Sequence, residues 1–548
     1  MKRTAQLIIV AFLFMGCSDG FLLGGPENGS TPAQCAANTT QACGCPVGGL
    51  GTQTCNAAGN AWGPCLGCPK PTPGSDAGVG SDSTVPPPVG DSGVVTPKTD
   101  SKVTPPPNKD GGGPPPKTDA FVPTGPTKYV APNGNDSNPG TKSSPWRTLK
   151  KAGNSAVAGD TIYVRAGTYN ERLEPKNSGS AGKFITFSAY PGEKPIIEGK
   201  TFNIPAGEGI VQVYGVDYIR IRGFKVQHAK PDINSNGIMV EQAKHIYIEK
   251  NHTYDTMSSG IGVWASEDVT IDGNEVEKAL NHGEQECISV ASTKGFEIKN
   301  NHVHHNGGDN NTDGGEGICP KDGSSNGKVH HNRVHDIKWE RPGIYLDAWN
   351  QHTFNIEIYQ NIVYNCSGAG FALGAEQGGV LENITLHNNL SYSNGLSGFE
   401  FGAWGGSQSS NRPVRNVKII NNTAYNNGLT WGGGLMIENG DAKQIVVRNN
   451  IFSQNKFFQI SNDAGLSSSN FLVDHNLIDG HRGASGEVWG SNPIKASPNF
   501  VNAGAADFRL KSGSPAIDKG SASGAPKFDY NGATRPKGSG FDVGATEF

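Results

Sequence analysis

Across the C-terminal two-thirds of the chain, apolar and polar residues alternate in short runs, and an asparagine closes almost every run. Ile356-Glu357-Ile358-Tyr359-Gln360-Asn361-Ile362-Val363 shows the form, apolar-x-apolar-x-x-Asn-x-apolar. It recurs at nine asparagines, Asn251, Asn274, Asn301, Asn332, Asn361, Asn389, Asn422, Asn450 and Asn476, spaced 23 to 33 residues apart. Period-two alternation gives each unit one apolar face. A unit this short cannot bury that face alone, so successive units must stack and share a core, as in a solenoid. Asparagine tolerates left-handed backbone and can bond its amide to the same group one rung above and below. The pattern predicts an all-β chain wound as a right-handed parallel β-helix solenoid, with an Asn ladder along one inner corner.

A second column lies upstream of each asparagine and starts at a glycine in most rungs. Examples are Gly317-Ile318-Cys319-Pro320-Lys321, Gly343-Ile344-Tyr345-Leu346-Asp347, Gly370-Phe371-Ala372-Leu373-Gly374, Gly398-Phe399-Glu400-Phe401-Gly402 and Gly434-Leu435-Met436-Ile437-Glu438. The first and third residues after the glycine are large and apolar, so they point inward. The second and fourth then point outward, in rows about 4.8 Å apart. Lys321 and Asp347 share one outward column on successive rungs, with Tyr345, Glu400 and Glu438 close by. Two residues further along, the column reads Trp349, Glu376, Trp404. A carboxylate between two indoles suits a sugar ring, whose C–H face the indole covers while the carboxylate meets its oxygens. Aromatic cover over exposed rungs, with a surface ladder of charges, is the plainer alternative.

The rest of the chain is uneven in composition. Residues 1–17 hold Lys2 and Arg3, the apolar run from Leu7 to Phe14, and Met15-Gly16-Cys17, a secretion signal too short to span a membrane. The small residue before Cys17 resembles a bacterial lipobox, which implies a lipidated Cys17, an outer-membrane anchor and an exposed domain; ordinary signal cleavage is the alternative. In residues 18–68, Cys35, Cys43, Cys45, Cys55, Cys65 and Cys68 form an even cluster that reads as a disulfide module, with zinc the competing reading. Residues 69–127 are rich in Pro and Gly and predict an extended linker. Residues 128–210 are expected to form the N-terminal cap and first coils, with a short helix over 145–156. Residues 211–480 form the main β-helix, and 481–548 a C-terminal coil and cap. A net charge of −4 gives no reason to expect nucleic acid as a partner. The expected partners are an extracellular polysaccharide and the membrane, and the chain is expected to be a monomer.

The asparagine column, the segment Asp160-Thr161-Ile162-Tyr163-Val164-Arg165-Ala166-Gly167-Thr168-Tyr169 and the loop carrying Asp313 resemble the pectate lyase-like β-helix superfamily, in particular polysaccharide lyase family nine and the chondroitinase B-like lyases. That resemblance implies β-elimination on a uronate-containing polysaccharide. Lys321 is then the candidate base, and Asp309, Asp313, Glu316 and Asp322 are candidate Ca²⁺ ligands. Where family nine lyases carry a Lys in Gly-Phe-Lys-Leu-Gly-Gly, this chain has Glu400, so only Lys321 remains for that role. The segments ending in Asp347 and Glu376 also resemble β-helical β-xylosidases, which implies a glycoside hydrolase. The α-carbons of the pair are then about 8 Å apart, a separation open to either stereochemistry. A noncatalytic glycan-binding or adhesin lipoprotein is the third reading, since fold alone does not fix function. His302, His304, His305, His330, His331 and His335 cluster after consecutive ladder strands and read first as polar turn residues, with a metal set as the alternative. Cys287, Cys319 and Cys366 read as packing residues, Cys319 facing outward as a candidate free thiol.

Overall fold

The computed structural model describes residues 122–230, 234–281, 284–307, 314–403 and 412–548, together with the backbone of Thr40–Gly44 and Leu50–Thr54. Those two short strands pair antiparallel within a unit running from Gly20 to Thr104. The signal segment with Cys17, the cysteine pairings and the linker as far as residue 121 lie outside the described residues, and residue 127 already opens a strand of the solenoid.

The solenoid is three parallel sheets of 13, 10 and 12 strands. Each full rung adds one strand to each, as Ile344–Asp347 does for the 10-stranded sheet, His352–Tyr359 for the 13-stranded and Ile362–Tyr364 for the 12-stranded. Ile344, Leu346, Ile356, Ile358 and Val363 of that rung all enter one continuous core. The chain is a right-handed parallel β-helix.

The nine asparagines form the expected ladder and are all buried. Asn361 is typical. Its Nδ2 donates to Asn389 Oδ1 at 3.0 Å and to the Val329 carbonyl at 2.9 Å, while its backbone N–H donates to the same Asn389 Oδ1 at 3.1 Å. The left-handed backbone falls one residue earlier, at Lys250, Asn300, Gln360, Asn388, Asn421 and Asn449. The ladder position is therefore asparagine for its amide, which meets two turn donors and a carbonyl, and the preceding residue makes the bend. A second, shorter ladder of Asn394, Asn427 and Asn455 runs at another corner and ends on Gln459.

Both ends are closed. The helix Leu149–Ser155 is shorter than expected because Thr148 caps it, its hydroxyl accepting from the Lys151 N–H. Leu149 and Ala152 still bury into the first coil beside Trp146. At the other end the chain does more than cover the last rung. It turns back along the outer face of the 12-stranded sheet, where Phe500, Phe508, Leu510, Ala516, Val543 and Ala545 bury Leu390, Ile451 and Leu477. Gln360 and Asn388 donate to the Asp529 and Phe528 carbonyls, tying this segment down.

Candidate functional site

The register of the 10-stranded sheet places Ala291, Lys321, Asp347 and Gly374 in one column, and Tyr345, Ala372, Glu400 and Met436 in the next. Their side chains leave the core, as the alternation requires. Cys319, Tyr345, Ala369 and Ala372 make a small apolar cluster of their own on that outer face.

The face is not open. Lys321 is 6% exposed, Asp347 1%, Glu400 3% and Glu376 9%. Turn residues reach over the sheet: Lys321 Nζ donates to Glu286 Oε1 at 2.9 Å and to Gln285 Oε1 at 3.0 Å. The plainer alternative of a solvated charge ladder does not fit this burial, because the neighbouring turns close over the strands. The reading of Cys319 is corrected: it faces outward but is fully buried, and burial first, then the Glu286 charge, pushes its thiol far above the ordinary range. It is no reactive thiol.

Asp347 is held by its own turn, its Oδ1 accepting from the Trp349 N–H at 2.6 Å. Burial, then the charges of Glu376 and Asp322, push its carboxyl well above the usual carboxylate range. Glu376 accepts a hydrogen bond from the Tyr345 hydroxyl. Trp349 acts here through its backbone. With φ at 40° it turns the chain, and its carbonyl accepts from the Gln377 and Gly379 N–H groups at 2.9 and 2.8 Å, fixing the loop that carries Glu376. Trp404, the other expected indole, lies outside the described residues.

Burial and the Glu286 charge raise Glu316 to about 7, against the opposing pull of Arg341 and Lys321. Asp322 is raised by burial despite Lys321. Both carboxyls feel the Lys321 charge, and Asp322 also acts on Asp347. Glu400 stands apart: burial lifts it to about 8, and its charged neighbour is Glu438, itself raised by burial and Asp463. Of the four expected catalytic residues, three meet in one group and Glu400 belongs to a second.

Of the expected Ca²⁺ ligands, Asp309 and Asp313 lie outside the described residues. Glu316 and Asp322 join no trio of ligand-bearing side chains whose donor atoms lie within 4.8 Å of one another among the described residues. Glu286 Oε2 and Glu316 Oε2, however, are buried and lack a hydrogen-bond partner there. Two such oxygens suit a hard cation.

Glu286 and Gln285 were missed in the sequence. The signal was present, since Glu286-Cys287-Ile288 and Glu316-Gly317-Ile318 place a carboxylate just ahead of the same strand on adjacent rungs, and Ile288 pairs with Ile318.

Residues 128–450 match the family profile described as Pel9A-like, right handed beta helix region. The uncharacterized protein YwoF of Bacillus subtilis (strain 168) is 29% identical over 446 residues, covering 71% of this chain and 91% of its own length. Pectate lyase PEL9 of Emericella nidulans is 39% identical over a shorter stretch of 74 residues, 13% of this chain and 18% of that enzyme. The solved structure of pectate lyase Pel9A aligns with a TM-score of 0.49 at 20% identity, over 77% of this chain and 96% of the other.

Proposed function

Because the chain belongs to the Pel9A-like right-handed β-helix family, we propose that the residues on the outer face of its 10-stranded sheet cleave the glycosidic bonds of an extracellular polysaccharide, and that the carboxyl pair Asp347 and Glu376 carries the reaction as a hydrolase. The observation that carries this reading is the unequal environment of the pair. Burial and the Glu376 charge raise the Asp347 carboxyl well above the usual carboxylate range, whereas Glu376 accepts a hydrogen bond from the Tyr345 hydroxyl. Asp347 then donates its proton to the leaving glycosidic oxygen. Glu376 either attacks the anomeric carbon, forming a glycosyl ester that water then hydrolyses with Asp347 taking that water's proton, or takes a proton from a directly attacking water; the products are a new reducing end and a free hydroxyl.

A second reading, β-elimination, is favoured by the named pectate lyase among the relatives and by the unpartnered oxygens of Glu286 and Glu316. Ca²⁺ held there would neutralise a uronate carboxylate and acidify its α-proton. Lys321 would have to act as the base. It is instead held in a buried ion pair with Glu286 at 2.9 Å, which elimination would have to break.

The deciding experiment incubates the protein with pectate, alginate, chondroitin and xylan, with and without Ca²⁺, following new reducing ends and the ultraviolet absorbance of unsaturated uronate. Reducing ends without absorbance, lost in both Asp347→Asn and Glu376→Gln while folding is kept, support hydrolysis. Both signals rising together would assign the site to a lyase, and silence on every glycan would leave a glycan-binding surface lipoprotein anchored through Cys17.

A further inference from the structure

The 12-stranded sheet carries a different cluster on its outer face. Its strands are three residues long in this region, so their first and third side chains point outward and stack in two columns. One runs His252, Glu275, His302, Arg333; the other runs Tyr254, Glu277, His304, His335, Tyr364. The C-terminal segment covers this face further along, where the first column presents Ile362, Leu390, Ile451 and Leu477. At the histidines the columns are polar and reachable: the Glu275 side chain is 45% exposed and that of Asp336 36%.

The ring nitrogens face one another. His302 Nε2 lies 2.7 Å from His335 Nε2, and His304 Nε2 lies 3.4 Å from Glu275 Oε1. A donor atom from each of Glu275, His302 and His304 lies within 4.8 Å of the other two, and His335 forms a second such trio with His305 and Asp336, bridged to the first by the His302–His335 contact. Asp336 Oδ2 sits 2.6 Å from His335 Nδ1, so the carboxylate fixes the proton there and leaves the Nε2 lone pair aimed at His302. A carboxylate behind a histidine in this way is the usual support of a metal-bound imidazole. Packed aromatic rungs alone explain the stacking of His335 on Tyr364, but not two imidazole nitrogens brought together with a carboxylate at their side.

We propose that Glu275, His302, His304 and His335 bind a divalent transition metal of the Zn²⁺ type, with Asp336 orienting His335. Three imidazoles and a carboxylate are a tetrahedral zinc donor set. The ion takes the place of the proton shared by His302 and His335. Zn–N bonds of about 2.0–2.1 Å require the two nitrogens to part by roughly half an ångström, within the reach of side-chain rotation. The Arg333 guanidinium nearby is engaged with the Tyr364 hydroxyl, at 2.9 Å from Nε. The site also lies at the foot of the chain that leads to Glu316: Asn306, two residues after His304, accepts from the Lys338 N–H and donates to the Gly315 carbonyl at 2.9 Å.

The test strips the full chain with EDTA and titrates it with Zn²⁺ by calorimetry and with Co²⁺ by visible spectroscopy. About one equivalent should bind and raise the melting temperature. The Co²⁺ spectrum should be that of nitrogen and oxygen ligands, without a thiolate charge-transfer band. His304→Phe/His335→Phe keeps planar rings in the stack and should weaken binding at least about 100-fold; Glu275→Gln, at an exposed position, should weaken it about tenfold and decides the matter if the double variant does not fold. No saturable binding, a thiolate spectrum, or binding that these substitutions leave intact would overturn the site.

Discussion

Buried carboxyl groups set the behaviour of the site one residue at a time. Glu400 is raised to about 8 in the folded protein against an ordinary value of 4.5, so between those limits the folded state holds a proton that the unfolded chain releases. Stability contributed by this group is present at low pH and is lost as pH rises through 8. Glu400→Gln should therefore melt higher than the parent at pH 9, with the two converging at pH 5; a constant difference at both values would refute the assignment. Lys321 works in the opposite sense. Lys321→Ala leaves Glu286 buried without its cation and should cost about 3–5 kcal/mol in urea unfolding, whereas Lys321→Met combined with Glu286→Leu should cost less than the single change. Catalysis carries the mark of Asp347: under the proposed hydrolysis, its raised carboxyl sets the alkaline limb of the pH–rate profile, and Asp347→Asn abolishes both limb and turnover. Alternation alone made Lys321, Tyr345 and Asp347 legible as outward neighbours, and their register agrees. Their burial was not legible, because it depends on turns whose path no period describes. The Lys321 partner comes from such a turn, at Glu286.

At the scale of the repeated element, the asparagines are not interchangeable. Asn361→Ala removes the acceptor of two Asn332 donors and leaves the Asn389 oxygen and the Val329 carbonyl short of partners inside the stack. With about 1–3 kcal/mol for each buried group left unpaired, the substitution should destabilise by several kcal/mol in chemical denaturation. A third asparagine row, Asn326, Asn355, Asn383 and Asn416, bonds side chain to side chain on the exposed surface. Asn355 has a φ of 57°, so Asn355→Gly preserves its backbone and should stay within about 0.5 kcal/mol of the parent. The long ladder was readable because nine copies repeat one local pattern. The row of Asn394, Asn427 and Asn455 follows the long ladder at a constant five residues, so its period was there to read, but three copies stand out less than nine. The histidines fall between these cases: their clustering was visible, and the way their nitrogens pair across strands was set only by the register.

For the solenoid as a whole, each rung rests chiefly on its two neighbours, and the returning C-terminal segment is the long-range exception. Removing residues 498–548 should bare Leu390, Ile451 and Leu477, raise the binding of an apolar dye and promote aggregation, while the far end of the stack keeps its structure. That stack invites a reading in terms of heredity. The stretch from Asn251 to Gly273 contains one complete rung: His252–Tyr254, Ile261–Trp264 and Glu267–Asp272, a strand for each sheet. Excising it joins Lys250 to Asn274, one ladder position to the next; Ile288–Ala291 and Lys294–Lys299 exchange the excised strands for the equivalent strands Asn236–Glu241 and Lys244–Glu249, while Ile318–Lys321 and Ile344–Asp347 keep the strand neighbours they have now. Such a chain should fold about one strand spacing, 4.8 Å, shorter and retain the site. The unit that lineages of this architecture can gain or lose is thus a whole turn of the spiral, and overall length can drift while the chemistry, confined to a few consecutive turns, is inherited intact.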